Sequence, residues 1–136
     1  MTAVIKYEHW KQVPQSHSAW PWRYFTPKEI ACHGTGKLVI HSGFISRLDL
    51  LRSRYGHPLR LLSAYRSPYH NAKVGGAVFS RHLYADAGDL AIVGLDKWLI
   101  ERLAKEEGFT GFGYYHTFLH IDLGRQRHWG KEKWNA

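Results

Sequence analysis

Residues 80–89 read SRHLYADAGD and place His82 and Asp89 seven positions apart. A third candidate ligand, His120, lies in the segment FLHID at residues 118–122. Two imidazoles and one carboxylate suit a catalytic zinc ion, which keeps its fourth position open for water. A fold that brings these three side chains together predicts a metal-dependent hydrolase, so the same stretch constrains both the fold and the chemistry.

The segment around His120 has the alternation of a β-strand. Side chains two positions apart face the same side of a strand, so His120 and Asp122 point together, away from the apolar residues that alternate with them. Asp89 lies on a second predicted strand, and His82 comes just before that strand. Two adjacent antiparallel strands would hold Asp89 beside His120, with His82 reaching in from the loop.

Sequence signals along the rest of the chain predict a mixed α+β protein. A capping box at Thr26 predicts a short helix, and apolar residues at three- and four-residue steps predict a longer helix that Ser42 caps and that runs to about Tyr55. The other predicted elements are a strand at 59–64, a loop at 67–79, a strand at 87–93, a helix at 96–107 with Trp98, Leu99 and Leu103 facing inward, and a hairpin of 111–115 and 118–123. We expect a small antiparallel sheet flanked by helices, an irregular arm at 1–24 and a single domain at 25–136.

The composition limits the possible classes of function. The 136 residues include one cysteine, Cys32, which excludes an intramolecular disulfide and a cysteine-rich zinc site. The net charge of +8 favours anionic partners, but the 19 Lys and Arg residues are scattered, so no nucleic-acid-binding stripe is expected. The first residues contain no apolar run of signal-peptide length, and no segment is long enough to span a membrane. We expect a monomer that is made in the cytoplasm.

Taken together, the motifs resemble the peptidase M15 family, the zinc D-alanyl-D-alanine carboxypeptidases and their phage endolysin relatives. The family pattern Ser-x-His-x-x-Gly-x-Ala-x-Asp is matched at residues 80–89, with Ala85 where glycine is usual. The likeness extends to SAYRSP at 63–68, Asn71, VGGA at 74–77, HID at 120–122 and Trp129. It runs from about Phe25 to Trp129 and implies a fold of the hedgehog/D-Ala-D-Ala-peptidase type.

The resemblance also implies roles for individual residues. Zn²⁺ would be the cofactor, and its ligands would be His82, Asp89 and His120. Arg66 would be the active-site arginine, because a guanidinium beside the metal can bind a terminal carboxylate or stabilise an oxyanion. Ser80 is interpreted as a hydrogen-bonding support in the substrate site rather than a nucleophile, and Tyr114 as a second substrate contact.

One position departs from the family's pattern. Well-studied carboxypeptidase members carry an acidic general base three positions before the last zinc ligand, where this chain has Thr117. Asp122 could serve instead, either as the base or as a partner that orients a ligand imidazole. His116 could act as a proton donor if the hairpin bends it inward. Asp122 is slightly preferred.

The expected function is hydrolysis of peptide bonds in bacterial peptidoglycan. The enzyme would be a D-Ala carboxypeptidase or a cross-link endopeptidase, and as a phage endolysin it would act on the cell wall or periplasm after release. Because Thr117 removes the usual base, the alternative is a non-catalytic, zinc-stabilised wall-binding or phage structural module. The positive charge alone supports a weaker third class, a nucleic-acid-binding protein.

Overall fold

The computed structural model describes residues 3–135. The α-helices in this range are α1 (Pro27–Ile30), α2 (Ser42–Tyr55), α3 (Pro68–Lys73) and α4 (Lys97–Glu106). The strands are β1 (Val4–Tyr7), β2 (Leu38–His41), β3 (Leu61–Ser63), β4 (Ala87–Ala91), β5 (Gly111–Tyr114), β6 (Phe118–Asp122) and β7 (Arg127–Trp129). Short 3₁₀ helices cover Trp10–Gln12, Arg81–Tyr84 and Lys131–Trp134. This mixture confirms the predicted α+β class.

A five-stranded sheet with the order β3-β4-β6-β5-β7 positions the candidate ligands. The first four strands pair antiparallel, as predicted, whereas β7 joins β5 in parallel. The register of β4 and β6 places Asp89 opposite His120 and Ala87 opposite Asp122. The predicted hairpin of β5 and β6 is confirmed, with Gly113 opposite His120.

Strand alternation divides this sheet into an apolar face and a polar face. Leu90, Leu119, Ile121 and Phe112 point to the apolar face and are buried in the main hydrophobic core. Helices α2 and α4 complete that core with Phe44, Ile45, Leu48, Leu51, Ile100, Leu103 and Ala104. The polar face carries the residues that alternate with these apolar side chains, so the core and the candidate site lie on opposite sides of one sheet.

The two long helices follow the predicted periodicity, with corrections in detail. His41 caps α2 in place of the expected Ser42, because its Nδ1 accepts a hydrogen bond from the Phe44 amide at 3.1 Å. In α4 the prediction that Trp98 faces inward was wrong: its side chain is 42% exposed, and Ile100 is buried instead. None of the helices within residues 3–135 combines the length and the apolar composition needed to cross a bilayer.

The first half of the segment predicted as a loop at 67–79 is helical. The Ser67 hydroxyl accepts a hydrogen bond from the His70 amide at 3.2 Å, and Pro68 occupies the first helical position of α3. A serine followed by proline is a signal for a helix start. The prediction of a loop over these residues was therefore wrong, and the loop begins after Lys73.

A second, two-stranded sheet lies at the start of the chain. β1 pairs antiparallel with β2, with Val4 opposite His41 and Tyr7 opposite Leu38. Val4 and Ile5 remain exposed, so β1 contributes little apolar burial. The segment expected to be an irregular arm thus contains one strand, for which the sequence has no clear alternation signal.

Candidate metal centre

Three buried side chains meet on the polar face of the sheet: His82, Asp89 and His120. One ligand atom from each lies within 4.8 Å of the ligand atoms of the other two. Asp89 and His120 come from paired positions of β4 and β6, and His82 comes from the 3₁₀ helix that precedes β4. In the described part of the chain no other group of three His, Cys, Asp or Glu side chains converges in this way.

The His82 ring is oriented by the backbone of a neighbouring strand segment. Its Nδ1 donates to the Ala64 carbonyl oxygen at 2.6 Å, and because a carbonyl can only accept, Nδ1 carries the proton. Nε2 faces the cluster and lies 3.3 Å from Asp89 Oδ2. The Ser80 hydroxyl accepts from the His82 amide at 3.3 Å. Ser80 therefore supports the turn that presents the His82 ring.

The turn that carries His82 ends in an unusual backbone conformation. Ala85 has a φ of 61° and lies in the left-handed region, where among the described residues every other positive φ belongs to glycine. A side chain at Cβ is disfavoured in this region. This conformation accounts for the glycine that the family pattern has at the same position.

Both ring nitrogens of His120 face carboxylate oxygens. Nδ1 lies 2.9 Å from Asp89 Oδ1, and Nε2 lies 2.7 Å from Asp122 Oδ2. The Asp122 carboxylate also accepts from the Gly124 amide at 2.9 Å and from both terminal nitrogens of Arg127 at 2.8 Å. Asp122 therefore holds the ring through one nitrogen while the other nitrogen points at the cluster.

These contacts determine the charges in the cluster. Burial alone would raise the pKa of Asp89, but hydrogen bonds from His120 and His82 outweigh burial and hold that pKa well below its usual range. Burial alone would lower the pKa of His120, whereas Asp122 and Asp89 raise it above the ordinary histidine value. The pKa of Asp122 is also depressed, because bonds from His120 and Arg127 outweigh its burial. Both carboxylates are ionised at neutral pH.

The donor atoms fit a zinc ion in chemistry and spacing. Imidazole nitrogens and a carboxylate oxygen are zinc ligands, and tetrahedral bonds of about 2.0–2.2 Å separate neighbouring donors by roughly 3.4 Å. His120 Nδ1 lies 2.9 Å from Asp89 Oδ1, His82 Nε2 lies 3.3 Å from Asp89 Oδ2, and one ligand atom of each residue lies within 4.8 Å of the other two. Three protein donors leave a fourth position for a reacting group, as in catalytic zinc sites.

The cluster opens onto a cleft of about 410 Å³, which Arg66 also lines. Arg66 Nη2 lies 3.7 Å from Asp89 Oδ2, Nη1 donates to Asn71 Oδ1 at 3.1 Å, and Nε donates to the Ser63 hydroxyl at 3.3 Å. A guanidinium has five donor hydrogens, so this arrangement fixes Arg66 and still leaves donors for an anionic group. The other lining residues are Ala77, Phe79, Ser80, Arg81, Tyr115, Phe118, Arg127 and Trp129.

An aromatic wall of Tyr115, Phe118 and Trp129 borders the cleft. The Tyr115 and Phe118 rings stack with centroids 4.2 Å apart, and Trp129 Nε1 donates to the Tyr115 hydroxyl at 3.0 Å. The Trp129 ring lies 5.2 Å from the His120 ring, centroid to centroid. The sequence singled out Trp129 alone, through the family resemblance. Strand alternation could have added Phe118, which is two positions from His120.

Tyr114 lies away from the cleft. It alternates with Gly113 onto the apolar face, where it is 1% exposed and its hydroxyl donates to Glu101. Desolvation by burial and the contact with Glu101 both raise the pKa of the Tyr114 hydroxyl. The interpretation of Tyr114 as a substrate contact is therefore corrected, because the next residue, Tyr115, is the one that lines the cleft.

The two candidate acid–base residues do not line the cleft either. His116 is exposed in the turn between β5 and β6 and borders a different depression, formed with residues 92–98. Its predicted role as a proton donor therefore has no geometric support. Asp122 is completely buried beyond His120, with both oxygens occupied by donors. Of its two predicted roles, this geometry favours the partner that orients an imidazole.

Comparisons with known proteins agree with the site. The sequence profile described as peptidase M15 matches residues 23–122. The zinc D-Ala-D-Ala carboxypeptidase of Streptomyces albus G is 33% identical over 89 residues, which are 61% of this chain and 35% of that protein. The peptidoglycan L,D-endopeptidase MepK of Escherichia coli (strain K12) is 34% identical over 99 residues, 66% of this chain and 54% of that protein.

The chain thus spans between about a third and a half of the length of these relatives. The profile covers β3 to β6 and all three clustered side chains, and it ends at Asp122, before β7. The resemblance inferred from the motifs is confirmed: the chain belongs to the peptidase M15 family.

Proposed function

We propose that the chain is a zinc peptidase that hydrolyses peptide bonds of bacterial peptidoglycan, with His82, Asp89 and His120 as the zinc ligands. The observation that carries the proposal is the convergence of these three buried donors on an open cleft beside Arg66. Membership of the peptidase M15 family supports peptidase activity, and the names of the two relatives support a cell-wall substrate. The sheet bearing the site supports a fold of the hedgehog/D-Ala-D-Ala-peptidase type.

The residues around the cluster have distinct proposed tasks. When bound, zinc would lower the pKa of a water molecule toward about 7 and polarise the scissile carbonyl. Arg66 would stabilise negative charge that develops on that carbonyl oxygen, or bind a terminal carboxylate, through the donors that Asn71 and Ser63 leave free. The Tyr115 hydroxyl accepts from Trp129, so its own hydrogen would be available to the substrate.

Asp122 is proposed to orient His120 rather than to take a proton from the attacking water. Both of its oxygens accept from fixed donors, and it does not line the cleft. Among the described residues that line the cleft, Asp89 is the sole carboxylate. This favours one alternative function, a zinc-stabilised wall-binding or phage structural module without catalytic activity, in keeping with Thr117 at the position of the usual base.

The substrate can be proposed more narrowly from the cleft. An open cleft with an aromatic wall could accommodate a peptide that continues on both sides, which supports a cross-link endopeptidase. Arg66 as an anchor for a terminal carboxylate supports a D-Ala carboxypeptidase. The charge of +8 would attract the chain to an anionic wall. We propose a monomeric phage endolysin that is made in the cytoplasm and reaches the wall after release.

The test is digestion of purified peptidoglycan by the protein loaded with zinc, by the same protein after chelation, and by His82→Ala. New termini would be identified by mass spectrometry, and zinc bound by each protein would be measured in parallel. Chelator-sensitive release of peptides by the wild type alone supports the peptidase, and the termini distinguish the two cleavage types. Bound zinc with wall binding but no new termini would instead establish the non-catalytic module.

A further inference from the structure

Arg127 is held in the cleft by three kinds of contact. Its Nη1 and Nη2 donate to the two oxygens of Asp122, each at 2.8 Å, in the bidentate geometry that suits a guanidinium and a carboxylate. Nη1 also donates to the Arg125 carbonyl at 3.1 Å. The guanidinium carbon lies 5.2 Å from the centre of the Trp129 ring. These contacts fix both the N–H groups and the planar face of the Arg127 guanidinium.

Asp122 transmits this fixed geometry to the candidate metal centre. The carboxylate has 0% exposure, and one oxygen accepts from His120 Nε2 at 2.7 Å. A bidentate partner fixes the plane of a carboxylate as well as its position. The direction of the His120 ring, and the proton on its Nε2, are therefore set by a carboxylate that Arg127 keeps from rotating.

The neighbouring strand leaves room for this pair. Gly111 is the register partner of both Asp122 and Arg127, on β6 and β7 respectively. A Cβ atom on Gly111 would collide with Asp122 Oδ1 and Arg127 Nη1. A residue with no side chain at this position lets the Arg127–Asp122 pair occupy the space beside β5.

We propose that Arg127 is a positioning residue for metal binding, which acts through Asp122 to hold His120 in the orientation that presents Nδ1 to the ion. The inference rests on the proposed metal site, and it adds to that site a residue beyond the stretch matched by the family profile. Loss of a residue that hydrogen-bonds to a ligand histidine typically weakens metal binding by about 10–100-fold. A purely electrostatic influence would act in the opposite direction, since removing a cation favours binding of another cation.

The chain contains a matched control pair, Arg81 and Asp86. Arg81 also lines the cleft and contacts both oxygens of a buried carboxylate five residues away. The two arginine side chains are similarly exposed, 32% for Arg81 and 26% for Arg127. Within residues 3–135, no histidine forms a hydrogen bond with the Asp86 carboxylate. Arg81→Met therefore reproduces the loss of a cation and of a carboxylate partner without touching a ligand imidazole.

The experiment compares zinc affinity of wild type, Arg127→Met and Arg81→Met by competition with a chromophoric chelator, after circular dichroism has shown each variant to be folded. We expect Arg127→Met, which leaves Asp122 beside His120, to weaken zinc binding about tenfold, the lower end of the range for loss of a direct partner, and Arg81→Met to change it less than about threefold. The visible spectrum of the cobalt-substituted protein should change in Arg127→Met alone, because the spectrum reports ligand geometry. Arg127→Lys, which keeps the charge without the bidentate fork, should fall between wild type and Arg127→Met.

A double-mutant cycle tests the route through Asp122. If Arg127 acts through this carboxylate, Arg127→Met should cost little further zinc affinity in an Asp122→Asn background. Equal affinities for Arg127→Met and Arg81→Met, or full recovery by Arg127→Lys, would overturn the positioning role while leaving the metal site intact. A wild-type protein that binds no zinc would overturn the proposed metal site and this inference together.

Discussion

A methyl group at residue 111 should break the Arg127–Asp122 pair. In Gly111→Ala the new Cβ would lie 2.5 Å from Asp122 Cγ, whereas carbon atoms in contact are normally about 3.5–4.0 Å apart. One side chain must therefore move by about 1 Å or more. Asp122 has 0% exposure and accepts hydrogen bonds on both oxygens, so its side chain has no free space to move into. The partly exposed Arg127 would leave its place.

The loss of stability caused by displacing Arg127 follows from the ion pair that is broken. Breaking a buried ion pair by removing one partner costs roughly 3–5 kcal/mol, because the other charge stays buried without its partner. The clash and the lost pair are one event, so we expect the free energy of unfolding to fall by about 3–5 kcal/mol in total. For a chain of this size that corresponds to a fall in Tm of roughly 10–20 °C.

Urea denaturation of the chelated protein would measure this loss, with Gly88→Ala as the matched control. Gly88 lies on β4 and faces the apolar side, where its Cβ would approach Leu61 Cδ2 at 3.1 Å and Phe44 Cζ at 3.2 Å. These are ends of apolar side chains that need to shift by only a few tenths of an ångström, so the control should lose about 1 kcal/mol, the lower end of the cost of overpacking a core. A Gly111→Ala protein with the stability of Gly88→Ala would refute the claim that the Arg127–Asp122 pair is rigid.

Three further predictions concern neighbouring residues. Tyr114→Phe removes the donor to buried Glu101 and should lower the free energy of unfolding by about 1–3 kcal/mol without changing KM for peptidoglycan fragments; a raised KM would return Tyr114 to the substrate site. His116→Ala should leave stability within about 0.5 kcal/mol of wild type and peptide release unchanged, and loss of turnover in the digestion assay would contradict its placement. Because Asp122 and Asp89 raise the pKa of His120 despite its burial, a proton competes with zinc for Nδ1 at a higher pH than in an ordinary histidine. Zinc affinity should therefore weaken as the pH falls, with proton release visible by calorimetry in buffers of different ionisation enthalpy; binding independent of pH would contradict this.

The pairing of Asp89 with His120 could be predicted from sequence because it depends on local patterns. The alternation in β6 fixes which side chains share a face, and the glycines and aromatics of residues 111–123 indicate a hairpin. The same alternation also determines which face of the sheet Tyr114 lies on. Gly113 is opposite His120, so Tyr114 is opposite Leu119 and must face the core. The orientation of Tyr114 depends on the residue-by-residue register of the hairpin, which the positions of the two strands alone do not specify.

Other features depend on contacts between distant parts of the chain. β7 has only three residues, which are too few to show an alternating pattern, and no pattern in the sequence predicts its parallel pairing with β5. No pattern in the sequence therefore predicts that Arg127 lies beside Asp122. The short pair of β1 and β2 joins residues more than thirty positions apart, with Tyr7 opposite Leu38. Neither pairing could be derived from composition or alternation.

The separation of the hydrophobic core from the candidate metal centre helps to distinguish the proposed peptidase from the proposed non-catalytic module. The hydrophobic core lies on the apolar face of the sheet and is completed by α2 and α4, whereas the candidate metal ligands lie on the polar face. Small domains that need zinc to fold lack such a core, and their binding energy for the metal is their folding energy. Here Asp89 and His120 are already held by strand register and by Asp122.

We therefore expect the chain to fold without a metal ion, and the role proposed for the ion in a solvent-accessible cleft is chemical. That conclusion favours the peptidase over a module in which zinc serves only as a structural support. Buried charge is tolerated on the polar face because each carboxylate there has a histidine or an arginine at hydrogen-bonding distance. Removing such a partner should impair metal binding before it unfolds the core, and comparison of Arg127→Met with Arg81→Met measures that difference.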